Sequence, residues 1–300
     1  NYLLEKSRIS FSNTLEKTYH IFYLLCKNKD KLEKFNIQAV TDYTLLNNSK
    51  YDEHLEEFEN LEHLINVLNQ FEFNDNMQDR IFATLKIILE LLNCSDKISL
   101  ESTLENCFNE LNIIELNKED LFNKLTTKVY KVSGELIIKN LEETDIIVNI
   151  RTFCEDSYEN IFNTIITKVS GSLGNKTDKY IGILDIFGFE VFDSNGYEQL
   201  CINYTNEMLQ QIYNQYVFKS EQLEYEKEKI EWTKIEYVKN DSIIDTFNGK
   251  LSLFSIINEQ TILGSGNDSN IYGQFEKHIS ASHFTIDNLK RKDNVFSIKH

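Results

Sequence analysis

One stretch narrows the folds open to this chain more than any other. The short apolar run Tyr180-Ile181-Gly182-Ile183-Leu184 ends on Asp185, passes through Ile-Phe-Gly-Phe to Glu190, and leads at once into a long amphipathic segment. Apolar residues at Tyr180, Ile181, Ile183 and Leu184 read as a strand buried on both faces of a parallel sheet. A carboxylate at the C-terminal end of such a strand lies where open α/β sheets bind their ligands. There Asp185 can hold Mg²⁺ directly or through a water, as in nucleotide hydrolases. Gly188 lets the backbone approach a phosphate and offers its N–H to it, and Glu190 is placed to pair with a cation across the site.

The segment that follows reads as a helix with Asn195 as N-cap and Glu198 at the third helical position. Cys201, Tyr204, Met208, Ile212 and Tyr216 recur every three or four residues, so one stripe is expected to pack against the body. From Lys219 to Glu231 the composition turns to Glu and Lys, a solvated distal half. Movement of Gly188 toward a phosphate would tilt this helix and carry the displacement to its far end near Trp232.

These residues resemble the switch II segment and relay helix of the myosin motor. The match runs from Leu184 to Glu190, from Tyr197-Glu198-Gln199-Leu200-Cys201-Ile202-Asn203-Tyr204-Thr205-Asn206-Glu207 to Leu209-Gln210-Gln211, and on through Phe218-Lys219 to Ile230-Glu231-Trp232. Tyr2 to Arg8 and Tyr19 to Tyr23 are similar to the strand and helix after the family's switch I loop. Asp75 to Asn93 is similar to the helix that ends in its Leu-Gly-Asn signature, with Leu92 in place of the Gly. Phe296 to His300 is similar to the start of a further strand. The resemblance implies catalytic roles for Asp185, Gly188 and Glu190 toward ATP and Mg²⁺, and relay roles for Phe187, Asn206 and Trp232. No Gly-x-x-x-x-Gly-Lys-Thr occurs in these 300 residues. By the resemblance, the phosphate-cradling P-loop, the switch I Arg expected to pair with Glu190, and the converter lie outside a chain cut at both ends. Alone, such a chain would not hydrolyse ATP.

The same resemblance implies actin filaments as partner. The expected hairpin Val129–Val132 and Glu135–Ile138, turning at Ser133-Gly134, is similar to the family's actin-facing loop and offers Lys128, Lys131, Glu135 and Lys139. Glu135 stands sixteen residues before Arg151, at the position where the family needs an acidic or phosphorylated residue. Residues 254–290, with a Gly-rich tip at Gly264-Ser265-Gly266-Asn267-Asp268, are similar to the helix-loop-helix of the lower 50 kDa region. Light chains or calmodulin would bind only through a neck outside this chain. A myosin-like protein that binds actin without hydrolysing ATP is the alternative, and an intact P-loop Lys upstream would separate the two. A helical interaction module with no nucleotide leaves Asp185–Glu190 and the relay sequence unexplained.

Composition excludes other classes. The formal net charge of −17 argues against nucleic acid and anionic membranes as partners. Cys26, Cys94, Cys107, Cys154 and Cys201 are scattered and odd in number, which suits reduced thiols in the cytosol. No apolar stretch reaches about 18 residues, so no membrane insertion is expected. The best candidate, Ile81 to Cys94, is interrupted by Lys86 and Glu90. His278 and His283 do not have metal spacing. The chain has no Pro at all, where about 5% is typical, and its loops are rich in Asn, Lys and Asp instead.

The fold class expected is α/β with helices dominating, as part of a P-loop NTPase-type motor whose central mixed sheet is incomplete here. Helices are expected near 15–29, 55–69, 76–92, 100–111, 118–125 and 144–170, with a strand at Tyr2–Leu4. The clearest linker, 171–178, divides residues 1–175, similar to the upper 50 kDa region, from residues 176–300, which carry switch II, the relay helix and part of the lower 50 kDa region.

Overall fold

Asparagine starts several of these helices. In a chain without proline, Asn60, Asn74, Asn117 and Asn267 each take the N-cap position, and their side chains accept from the backbone N–H of Glu62, Met77, Asp120 and Asn270 respectively. Each bond satisfies a donor that the first turn of a helix otherwise leaves open. The computed structural model describes residues 4–10, 17–47, 60–110, 117–132, 135–174, 179, 181–192, 195–233, 239–263, 267–286 and 296–299. These form two compact units, residues 1–182 and 183–300.

The first unit holds helices α1 (Ser7–Ser10), α2 (His20–Lys27), α3 (Thr44–Asn47), α4 (Leu61–Gln70), α5 (Asp75–Leu91), α6 (Lys97–Glu110), α7 (Lys118–Thr126) and α8 (Glu143–Ser172), with short 3₁₀ turns between α2 and α3. Strands β1 (Thr127–Val132) and β2 (Glu135–Asn140) form an antiparallel hairpin before α8. α5 is the central element: Phe82, Ala83, Leu85, Ile87, Ile88, Leu89 and Leu91 are all buried. Its Lys86, 2% exposed, lies 3.6 Å from Glu90 one turn on and 3.8 Å from Cys107 Sγ. The charged residues that break the apolar run thus pair along the helix inside the core. α8 offers Ile146, Ile150 and Cys154 as a buried stripe, extended by half-buried Tyr158, Ile161 and Ile165. Tyr158 stacks on Tyr19 with ring centroids 4.7 Å apart.

The second unit holds α9 (Tyr197–Tyr213), a π-helical segment (Asn214–Ser220), α10 (Glu221–Glu228), α11 (Asp241–Asn248), α12 (Leu253–Ile262) and α13 (Asp268–His278). Strands β3 (Phe284–Ile286) and β4 (Phe296–Ile298) pair antiparallel beneath them. Phe247, Leu253, Ile256, Phe275 and Phe284 make its core, with Phe296 set 5.4 Å from the Phe275 ring.

Helices dominate, as the periodicity predicts, but the sheet does not match the expectation. Among the described residues the strands form two two-stranded antiparallel pairs and no parallel or mixed sheet. The expected strand over 180–184 is not formed: Ile181 and Ile183 are 95% and 93% exposed and residues 181–192 have no regular structure. A central strand is held by hydrogen bonds to neighbours on both sides, and no described strand offers them. The expected helix over 15–29 starts only at His20. The linker starts later than expected as well, because α8 continues through Gly171 to Ser172 and stops at Gly174, whose φ of 92° no following helical residue can share. Residues 1–3, 51–59, 133–134 and 175–178, parts of other expected elements, lie outside the described residues.

Burial of phenols and thiols gives the first unit a pH limit. Burial pushes the Tyr19 hydroxyl up to about 12 and the Cys26 thiol up to about 12, and raises Tyr43, Tyr158, Cys94 and Cys154 as well. In the unfolded chain these groups ionise near their ordinary values of about 8.5 and about 10. The folded state therefore binds more protons at high pH, and stability present below about pH 8 is lost as pH rises toward 12. The urea midpoint of the chain should be flat between pH 6 and 8 and fall steadily above 9. An unchanged midpoint at pH 10.5 would contradict this burial.

Candidate functional site

Residues 185–190 lack strand neighbours, and side chains of α9 take their place. Asn203 Oδ1 accepts from the Glu190 N–H and Asn203 Nδ2 donates to the Glu190 carbonyl, both at 2.8 Å. This is the two-bond pattern that a peptide of an adjacent strand would supply. One turn further on, Asn206 Nδ2 donates to the Phe187 carbonyl at 3.0 Å and to the Ile202 carbonyl at 2.9 Å. One turn earlier, Gln199 Nε2 donates to Glu190 Oε2 at 3.3 Å, while its Oε1 accepts from the Gly196 N–H at 2.9 Å. Three amides at positions 199, 203 and 206 of one helix face thus hold residues 187–190 against α9. Sequence reasoning singled out Asn206 and missed Gln199 and Asn203. Their spacing of four and three was the available signal.

Between these anchors the chain is open. Asp185 and Gly188 are exposed and Glu190 is half-buried. A Cβ added at Gly188 would meet nothing within 4 Å, and its φ lies outside the left-handed region. Neither packing nor backbone conformation within the described residues requires glycine there. The carboxylate of Glu190 accepts from the amide of Gln199. Among the described residues no group of three His, Cys, Asp or Glu could hold a metal ion. Asp185 therefore stands as a single exposed carboxylate, a hard oxygen donor that suits a cation sharing its other ligands with water and phosphate.

The start and the buried face of α9 differ from the reading of its sequence. The N-cap is Gly196 and the third position is Gln199. Asn195 turns back instead, accepting from Phe192 N at 2.9 Å and donating to Phe192 O at 2.8 Å. Gln199, Ile202 and Glu207 are buried, whereas Ile212 and Tyr216, expected in the packed stripe, are 45% and 68% exposed. Tyr204 of the expected stripe does pack, against the core of the second unit, and polar Gln199 and Glu207 are buried as well, which a count of apolar spacing passes over. After Tyr213 the helix widens into the π segment, where Ser220 Oγ donates to the carbonyl of Gln215, five residues back. The distal half is exposed, as its composition predicts. It ends at Lys229, with a φ of 59°, and Tyr225 meets the half-buried Trp232 edge to face at 6.0 Å.

In the first unit the β1–β2 hairpin places Lys128 directly opposite Lys139, and Lys128 Nζ lies 5.6 Å from the Tyr130 ring centroid. Like charges facing each other across a ribbon repel. Glu135 is exposed at the start of β2, opposite Val132, and the side chain of Lys131 lies outside the described residues. Val129, Leu136 and Ile138 are all more than half exposed on the same ribbon. In the second unit α12 and α13 are two successive helices; of the expected tip, Asn267 caps α13, Asp268 begins it, and 264–266 lie outside the described residues. All five cysteines are free. Among the described residues no helix is long and apolar enough to cross a membrane.

Comparison with known proteins accounts for the whole chain. Myosin-1 of Saccharomyces cerevisiae is 34% identical over 100% of this chain and 16% of its own length. Myosin-I heavy chain of Dictyostelium discoideum is 32% identical over 100% of this chain and 13% of its own length. Unconventional myosin-Vc of Homo sapiens is 29% identical over 100% of this chain and 18% of its own length. The chain thus spans less than a fifth of the length of these relatives. The family described as Myosin head (motor domain) matches residues 1–300, and the chain belongs to that family.

Proposed function

We propose that this chain is the central part of an actin-based, ATP-hydrolysing motor on a P-loop NTPase-type fold, acting on the cytoskeleton in the cytoplasm. Residues 1–175 and 176–300 then correspond to its upper 50 kDa part and to its switch II, relay and lower 50 kDa part. The observation that carries this reading is the set of amide bonds from Gln199, Asn203 and Asn206 to residues 187–190. A peptide so tied cannot move toward a phosphate without moving the first turns of α9. Membership of the myosin head family supports the same reading. MgATP would supply the terminal phosphate whose presence is sensed. Asp185 would hold the Mg²⁺ through water, Gly188 would donate its N–H to the phosphate, and Glu190 would orient a cation or the attacking water. Phe187, Asn206 and Trp232 would carry the displacement outward. Light chains or calmodulin would belong to a neck beyond this chain.

The filament surface would include Lys128, Lys131, Glu135 and Lys139 on the hairpin, with α12–α13 as a second contact. A ribbon that keeps two lysines face to face and leaves apolar side chains exposed fits a surface completed by a partner rather than by its own core. Actin is acidic, so paired lysines offset the repulsion that an overall charge of −17 would create.

Gly188→Ala in the full-length protein tests the nucleotide role without disturbing the fold, since the added methyl meets no neighbour within 4 Å. The urea midpoint should be unchanged and ATP should still bind, while hydrolysis falls about 100-fold because the phosphate is held off by the methyl. Normal turnover would remove Gly188 from phosphate sensing. Glu135→Ala tests the filament role: affinity for actin should drop about threefold, the scale of one exposed charge contact. Cosedimentation with undiminished affinity would take the hairpin out of the interface.

A further inference from the structure

We propose that Glu207 and Asn240 form a joint that passes movement of α9 into α11 and on to the α12–α13 pair, coupling residues 187–190 to the proposed filament surface. The proposal rests on the function argued above and concerns positioning residues, not catalytic ones. Glu207 is 2% exposed and Asn240 is 7% exposed. Asn240 Nδ2 donates to Glu207 Oε2 at 2.6 Å and to the Glu207 carbonyl at 2.9 Å. Asn240 stands at the N-cap of α11, yet its side chain makes no bond to that helix. At the α-helices α4, α5, α7 and α13 an Asn at this position caps its own helix, so here a favourable local bond is given up for a bond to α9.

The next residue repeats the arrangement. Gln211, one turn after Glu207, donates from Nε2 to Asp241 Oδ1 at 2.7 Å. The Tyr204 ring lies 5.2 Å from Phe247 of α11 and 5.0 Å from Phe254 of α12, and those two rings are 5.8 Å apart. α9 is therefore tied to residues 187–190 on one face and to α11 and α12 on another. Three residues after Gln211 the helix changes to the π form. A buried hydrogen bond is directional, so it transmits displacement where apolar surfaces would slide. Removing one partner leaves the other buried without it, so the joint is costly to break.

The test uses the full-length protein with Asn240→Ala, Gln211→Ala and Glu207→Gln. Actin-activated and basal hydrolysis are measured, together with hydrogen exchange at residues 197–213 and 241–248 with and without MgATP. In the unaltered protein MgATP should change exchange in both segments. Asn240→Ala should keep basal hydrolysis and the response of 197–213, lose the response of 241–248, and lower activation by actin about tenfold, a typical coupling. Glu207→Gln retains an acceptor oxygen and should behave as the unaltered protein does. Gln211→Ala, at an exposed contact that does not endanger folding, should give a partial loss in the same direction. If 241–248 still follows MgATP in both Asn240→Ala and Gln211→Ala, the joint is overturned and the motor reading stands. If the unaltered protein shows no response to MgATP and no activation by actin, the motor reading falls and the coupling falls with it.

Discussion

The pairing of the Asn203 amide with the peptide at Glu190 is the contact on which the rest of the site depends. It gives an irregular, exposed segment the two hydrogen bonds that a sheet would otherwise provide. Backbone N–H and C=O groups must be paired to hold a defined position, and a side-chain amide is the one neutral group that offers both a donor and an acceptor in the right geometry. Remove it, and the segment loses both bonds at Glu190, while those from Asn206 and Gln199 remain. Gly188 sits between the anchored residues 187 and 190, so its amide is placed by bonds it does not itself make.

The absence of proline and the use of asparagine belong to the same physical account. A proline at the first turn of a helix fixes φ in advance, and without it the helix start is set by a side chain that captures an open N–H. Four Asn caps do this across both units. Asn240 differs from these four, since at the N-cap of α11 its side chain makes no bond to its own helix. Its diversion to Glu207 trades local helix stability for a connection between helices.

Much of the helical body was legible in the sequence. α5, α6, α7 and α8 fall within a few residues of their expected bounds, because each carries an apolar stripe and most carry a cap at the N-terminus. The hairpin was legible through its alternation and its Ser133-Gly134 turn, and the two helices of the helix-loop-helix through their likeness to the family. The strand over 180–184 was not, since strand formation depends on neighbours that apolar character alone cannot supply. The N-cap of α9 was misplaced by one residue because Asn195 and Gly196 both suit that role, and only the competing bonds to Phe192 decide between them. The stripe on α9 held at Tyr204, which packs against Phe247 and Phe254, and failed at exposed Ile212 and Tyr216. What it missed is the polar part of the contact, Gln199, Asn203, Asn206, Glu207 and Gln211, residues that hydropathy assigns to solvent.

That polar construction has a mechanical consequence. Interlocked apolar side chains resist compression but allow small sliding steps, whereas a hydrogen bond weakens steeply once its angle or length departs from the optimum. A helix held on two faces by directional bonds keeps its axial position with respect to both partners, so a shift imposed at one face appears at the other. The π segment then follows, and such wider turns are often found at functional sites. In this helix the change to π geometry at Asn214 comes just after the bond from Gln211 to Asp241 of α11. The regular turns are therefore the ones that carry the directional bonds, and the change of helical form follows them.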